Sequence, residues 1–106
     1  MLFPYADAHA VEMFPGVVRR TLANGERLLV AEFTYEAGSS APLHSHPHEQ
    51  ATYIISGEQH ITIGEEHFTV RPGDSYLVPP NARHGQQAVT RTITVDCWYP
   101  PREDYK

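Results

Sequence analysis

The stretch Gln50-ATYIISGEQHITIGEEHFTVRPGDSYL-Val78 decides the fold. It holds four short β-rich runs, each followed by a turn. Gln50 to Ser56 ends at Gly57. Gln59 to Ile63 alternates, with Ile61 and Ile63 on one face and His60 and Thr62 on the other. A period of two marks a half-buried strand. Gly64-Glu65-Glu66 turns the chain into His67 to Arg71. Pro72-Gly73-Asp74 turns it again into Ser75 to Val78, and Pro79-Pro80-Asn81 breaks that run. Strands at this spacing, bounded by Gly and Pro, are the pattern of an all-β sandwich or barrel.

The flanks continue the pattern. Val17 to Leu22 leads into Asn24-Gly25, a strong hairpin signal. Arg27 to Glu36 follows, with Leu28 and Val30 as apolar members and, after a shift at Ala31, Phe33 and Tyr35. Gly38 to Pro42 reads as a loop. Arg91 to Tyr99 is the last long strand, stopped by Pro100-Pro101. No segment holds a sustained 3.6-residue apolar period. The first dozen residues are the one weakly helical stretch, bracketed by Pro4 and Pro15. The 106 residues therefore divide into an arm (1–15), a barrel (16–99) and a tail (100–106) of a single domain.

Composition narrows the function classes. Thirteen acidic against eight basic side chains give a formal net charge of −5, and no basic cluster exceeds Arg19-Arg20. A phosphate-backbone binder would show a basic stripe, so nucleic acid is disfavoured as a partner. No stretch approaches the roughly 18 apolar residues of a membrane span, and the N-terminus has no basic region leading into an apolar run. A single cysteine, Cys97, excludes an intrachain disulfide. It fits a reducing compartment, here read as the cytoplasm.

The chemistry lies in histidine. The chain has seven, and three of them fall between His44 and His48. In Gly38-SSAPL-His44-Ser-His46-Pro-His48-Glu49-Gln50, extended-chain parity points His44, His46 and Gln50 to one side. His48 shares that parity and rivals Gln50; the carboxylate of Glu49 is a better anionic donor but lies on the opposite face. In Gly73-DSYLV-Pro79-Pro-Asn81-Ala-Arg-His84, a strand ends in a Pro-rich turn and His84 follows on the return strand. If that strand neighbours the first, His84 completes the set. Imidazoles with an amide oxygen suit one divalent transition ion: Ni, Zn, Mn, Fe, Co or Cu. His9, His60 and His67 read as ordinary surface or satisfied residues.

These two segments resemble the paired motifs of the cupin family. The first, G-x5-H-x-H-x3-(E/Q)-x6-G, runs through Gly38, His44, His46, Gln50 and Gly57; the second, G-x5-P-x-(G/N)-x2-H, through Gly73, Pro79, Asn81 and His84. The resemblance implies a jelly-roll barrel, or double-stranded β-helix, with a metal ion held by His44, His46, Gln50 and His84. Two positions depart from the usual pattern. Gln50 stands where Glu is usual, which removes a negative charge. Asn81 stands where Gly is usual, and Asn tolerates positive φ. Together with Asp96-Cys-Trp-Tyr-Pro-Pro-Arg102-Glu-Asp-Tyr105, the string is similar to small cupins of pectin and alginate degradation, which convert 4,5-unsaturated monouronates to linear keto-deoxyuronates. A Gln ligand is itself a feature of that group.

The last strand carries its own signal. Thr92, Thr94, Asp96 and Trp98 share one face; Ile93, Val95, Cys97 and Tyr99 share the other. One face must point into the barrel. If it is the first, Asp96 serves as acid or base, and Trp98 packs on the apolar side of a sugar. Otherwise Asp96 sits exposed at a strand end and Trp98 is plain core. Arg102 offers a guanidinium fork for a uronate carboxylate, or is merely solvated. Gln59 and Gln86 line either the cavity or the surface.

The expectation is thus a metal-dependent isomerase or ketonase acting on a small sugar acid, with Asp96 and Arg102 catalytic and with Trp98 and Arg102 on the substrate. A metal-dependent dioxygenase and a non-catalytic ligand-binding cupin are the alternatives. Small β-barrels commonly pair to cover exposed edges, so a homodimer through the first strands is expected.

Overall fold

Period-two alternation is clean along Leu29–Tyr35, Glu49–Ser56 and Thr92–Tyr99, and there it sorts the chain into an inside and an outside. The computed structural model describes residues 1–106. Ten strands follow in order: β1 (Ala10–Phe14), β2 (Val17–Asn24), β3 (Leu29–Tyr35), β4 (Ser40–His44), β5 (Glu49–Ser56), β6 (Gln59–Ile63), β7 (Glu66–Val70), β8 (Ser75–Val78), β9 (His84–Ala88) and β10 (Thr92–Tyr99). They form a six-stranded sheet, β1-β2-β3-β10-β5-β8, and a four-stranded sheet, β4-β9-β6-β7. Every pairing is antiparallel. The two sheets curl over one interior as a jelly roll, as the family resemblance implied.

Three sequence expectations need correction. β3 has no shift at Ala31: Leu29, Ala31, Phe33 and Tyr35 all point inward, and Leu28 is exposed. The hairpin irregularity sits instead in β2, between Thr21 and Asn24. The N-terminal stretch is not helical beyond one 3₁₀ turn, Tyr5–Asp7; it becomes β1 because pairing with β2 supplies its backbone partners. Gly38 to Pro42 is only partly loop. β4 begins at Ser40 and carries Pro42, which an edge strand of the smaller sheet tolerates.

The core has two apolar clusters. Val17, Leu29, Ala31, Phe33, Tyr35, Ala41, Ala88, Trp98 and Tyr105 form the larger, with Met13 and Phe14 packed against it. Both chain ends therefore contribute to the packed body. Ile54, Ile61 and Val70 form the smaller, with Ile63, Phe68 and Tyr76 against it. The inner faces of β5 and β10 add a buried polar run: Gln50, Thr52, Thr94 and Asp96. Gly57, the last residue of the first motif, has φ +88°. A Cβ there would come within 2.2 Å of the Arg91 carbonyl oxygen and 2.6 Å of Thr92 Cα, so only glycine lets the β5–β6 turn lie against the start of β10.

Candidate metal centre

Register brings the two histidine segments together. β4 pairs with β9 so that His44 stands opposite His84. The Asn81 N–H donates to the His46 carbonyl at 2.8 Å, tying the second turn to the first segment. Asn81 takes φ 67°, the left-handed conformation that its place in the motif requires. Ring centroids are 4.3 Å apart for His44–His84, 4.7 Å for His46–His84 and 5.7 Å for His44–His46. One nitrogen from each ring lies within 4.8 Å of the others.

The tautomers are set by backbone carbonyls. His44 Nδ1 donates to the Pro42 carbonyl at 2.9 Å, His46 Nδ1 to that of His48 at 3.0 Å, and His84 Nδ1 to that of Ala82 at 2.9 Å. A carbonyl only accepts, so each Nδ1 carries the proton and each Nε2 presents a lone pair. His84 Nε2 is buried with no protein partner. Burial holds His84 down at about 4 and also lowers His46, with the Arg102 charge adding to the effect on His46. Both rings are thus neutral, ligand-competent bases near neutral pH.

Gln50 completes the argument. Its amide nitrogen donates to Thr52 Oγ1 at 3.0 Å and to Asp96 Oδ2 at 3.3 Å. Its Oε1 accepts from Trp98 Nε1–H at 3.0 Å. The amide is therefore oriented with oxygen toward the histidines, where it lies 3.0 Å from His46 Nε2. With Nε2 unprotonated, a cation between these two atoms would satisfy both. Three imidazole lone pairs and one amide oxygen, backed by hydrogen-bonded carbonyls, fit a divalent transition ion. His48 is not part of the nitrogen cluster; it supplies its carbonyl to His46 instead. Glu49 is exposed on the outer face, as its parity required.

The first face of β10 is the inner one. Asp96 and Trp98 are both buried. Thr94 Oγ1 donates to Asp96 Oδ1 at 2.8 Å. Burial pushes the Asp96 carboxyl up to about 7, against the pull of its threonine hydrogen bonds. A cavity of about 260 Å³ brings His44 and Gln50 together with Asp96, Trp98 and Arg102, and Gln86 lines it too. Gln59 is buried but outside that cavity. A larger hollow of about 430 Å³ lies under the N-terminal arm and touches none of the clustered histidines, so the smaller one is the candidate site.

Sequence reasoning missed how the tail is held. Arg102 is not merely solvated: its Nε and terminal nitrogen donate to the two Asp104 oxygens at 3.2 and 3.1 Å. Its guanidinium lies 4.1 Å from the centre of the Tyr105 ring, and Arg19 lies 4.3 Å from it. Tyr105, Asp104, Met13 and Phe14 all line the cavity. The one sequence signal was the Arg102–Asp104 spacing; nothing local announced that the two chain ends meet at the site.

A cupin domain model matches residues 31–95, well over half the chain. The chain belongs to the cupin family. Among curated proteins, this cupin is 24% identical over 96 residues to the pectin degradation protein KdgF of Dickeya dadantii, covering 89% of this chain and 87% of that one. Among solved structures, an RmlC-like cupin from Shewanella frigidimarina superposes with a TM-score of 0.93 at 27% identity, covering 99% of this chain and 95% of that one. KdgF from a Halomonas species also gives 0.93, at 23% identity, covering 100% and 98%. No helix of this cupin is long and apolar enough to cross a membrane.

Proposed function

We propose that this cupin converts 4,5-unsaturated monouronates to linear keto-deoxyuronates, with one divalent transition ion held by His44, His46, Gln50 and His84. The observation that carries the reading is the cavity in which a carboxyl, an indole and a guanidinium meet His44 and Gln50 of that ligand set. The likeness to a pectin degradation protein supports the substrate class. The bound ion would supply Lewis acidity, favouring negative charge on a substrate oxygen.

The chain's own residues have separate tasks. Arg102 presents its fork to the substrate carboxylate, which takes over from the exposed Asp104. Trp98 offers an apolar ring to the sugar. Asp96 moves the proton. With its pKa at about 7 it can both accept and donate near neutral pH. As the ring C1–O5 bond breaks, Asp96 takes the proton of the C1 hydroxyl, leaving an aldehyde and an enolate. It then delivers that proton to C4, and the C5 oxygen becomes a ketone. The reaction is an isomerisation, so no atom or electron is gained or lost. An unpaired Cys97 and a sugar-acid substrate fit work in the cytoplasm.

The test is the decay of the conjugated-alkene absorbance of a 4,5-unsaturated monouronate. Metal-loaded protein should accelerate it. Asp96→Asn should slow it by about 10²–10⁴, and Arg102→Ala should slow it while the ion stays bound. Background decay with every divalent ion tried would overturn the reading. Oxygen uptake in its place would favour a dioxygenase.

A further inference from the structure

One cation of this chain is buried without an anion. Arg19 lies on the inner face of β2 and is only 9% exposed. None of the four ion pairs includes it. A terminal nitrogen donates to the Met13 thioether, a weak acceptor, at 3.4 Å, and Nε is buried with no partner. The remaining support is the face of the Tyr105 ring, whose centre lies 4.3 Å from the guanidinium carbon. A buried arginine is ordinarily matched by a carboxylate, because taking an unpaired charge out of water is costly.

Arg19 opens on the hollow of about 430 Å³ under the N-terminal arm. β1 and β2 build one wall of it. Val11 stands directly opposite Arg19 in their register. The irregularity of β2 between Thr21 and Asn24 brings two consecutive residues, Thr21 and Leu22, to the same hollow. The arm closes the other side with Leu2, Phe3 and Pro4. These apolar groups are loosely covered: Leu2, Phe3 and Val11 stay 85%, 41% and 41% exposed. Tyr105 is the one residue that lines both this hollow and the cavity beside the histidines, so it is the partition between them. The hollow is thus a separate compartment, of the size that small-ligand sites have.

We infer that this hollow is a second binding site, for a small organic monocarboxylate with an apolar body. A guanidinium fork matches a carboxylate through two parallel hydrogen bonds. The charges around the hollow select one negative charge. Arg19 supplies one unmatched cation. Lys106 is already held by Glu103 at 3.3 Å, and the exposed Asp7 repels a second negative charge. A phosphate dianion would leave excess charge among apolar side chains. The body of the ligand covers Leu2, Phe3, Val11 and Leu22, and so removes their apolar surface from water. The inference stands apart from the reading of the metal centre: it needs neither the ion nor Asp96 nor Arg102.

Hexanoate titrated into the metal-free full chain, followed by amide nuclear magnetic resonance, tests this. Signals of residues 9–11, 19–22 and 105 should shift and saturate, while those of 44–50 and 94–98 stay in place. Hexanamide, the uncharged counterpart, and inorganic phosphate should give no saturable shift. Arg19→Gln should weaken hexanoate about tenfold or more. Val11 is exposed, so its replacement leaves the fold intact. Val11→Glu sets a carboxylate opposite Arg19 and should weaken hexanoate by a similar factor relative to Val11→Gln, while unfolding at a higher denaturant concentration than Val11→Gln. No saturation with hexanoate, equal binding of hexanamide, tighter binding of phosphate, or shifts confined to residues 44–50 and 94–98 would each overturn the inference. So would Val11→Glu and Val11→Gln variants that bind hexanoate equally.

Discussion

β5 and β10 carry opposite chemistry on their two faces. Inward they place Gln50, Thr52, Thr94, Asp96 and Trp98 beside three histidines; outward they place Ala51, Tyr53, Ile55, Val95 and Cys97. The same antiparallel register, with Gln50 opposite Trp98 and Ala51 opposite Cys97, builds both. The difference teaches that burial here selects groups that satisfy one another rather than groups that avoid water. Gln50 bonds Trp98, Thr52 and Asp96, and Thr94 bonds Asp96, so the inner polar atoms are partnered. Off these two strands, both amide atoms of buried Gln59 and His84 Nε2 are among the buried polar atoms with no protein partner, and the last is the atom a metal ion would engage.

The largest way to break the inner face is to remove a histidine. His46→Ala and His84→Ala should each abolish binding of the divalent ion, read by elemental analysis of dialysed protein. Full stoichiometry in both variants would refute the ligand set.

Next is Trp98, which belongs at once to the apolar cluster and to the cavity. Trp98→Ala should cost about 3–5 kcal/mol in denaturant unfolding and weaken ligand binding as well. A variant that loses only one of the two would separate roles that the packing joins.

pH resolves the charged pair of groups at this site. Folded His84 sits at about 4 against an ordinary 6.5. Between those values the unfolded chain binds more protons, so the His84 contribution is present above about 6.5 and is lost as pH falls toward 4. Folded Asp96 sits at about 7 against 3.8. Its contribution is present at acid pH and is lost as pH rises toward 7. The two slopes oppose. In metal-free protein, Asp96→Asn should gain stability relative to wild type as pH rises from 4 to 7, by on the order of 4 kcal/mol. His84→Gln should shift the opposite way. Parallel pH profiles for both variants and wild type would show that neither group is buried as described.

Trp98→Phe is gentler. It keeps a ring in the core and deletes the donor to Gln50 Oε1. Loss of such an orienting bond should weaken metal affinity about 10–100-fold, measured by competition with a chelator. Unchanged affinity would mean that Gln50 needs no help to hold its orientation.

The smallest effect belongs to a histidine on the outside. His67 is exposed and pairs only with Thr62, at 3.1 Å. His67→Ala should leave metal content unchanged and stability within about 0.5 kcal/mol. A larger change would blur the contrast between the histidines that face in and those that face out.

Much of this was legible in the chain before folding. Strand limits at Gln59–Ile63 and Ser75–Val78 match the sequence reading residue for residue, because Gly and Pro fence them on both sides. Parity put Glu49 opposite Gln50 within β5, but residues 44–50 are not one extended strand: His44 ends β4, His46 lies in the connection and Gln50 belongs to β5 of the other sheet, so their convergence comes from the fold and not from strand parity. The tolerance of Asn for positive φ covered Asn81. Less visible was β3, where Leu28 and Leu29 are equally apolar and only pairing with β2 and β10 shows which one is buried.

By itself the sequence determined which residues travel together: the strands, the faces of β10 as two sets, and the two histidine segments. It did not determine which face of β10 is inside. Ile93, Val95, Cys97 and Tyr99 form the more apolar set, yet Thr92, Thr94, Asp96 and Trp98 are the buried ones, so local hydropathy does not choose the face. The closure of β10 between β3 and β5 decided it, by setting Trp98 beside Gln50. Tertiary structure likewise decided that His84 meets His44, through the β4–β9 register, and that Tyr105 and Met13 wall the cavity. Those contacts join residues far apart in the chain, and local propensity carries no information about them.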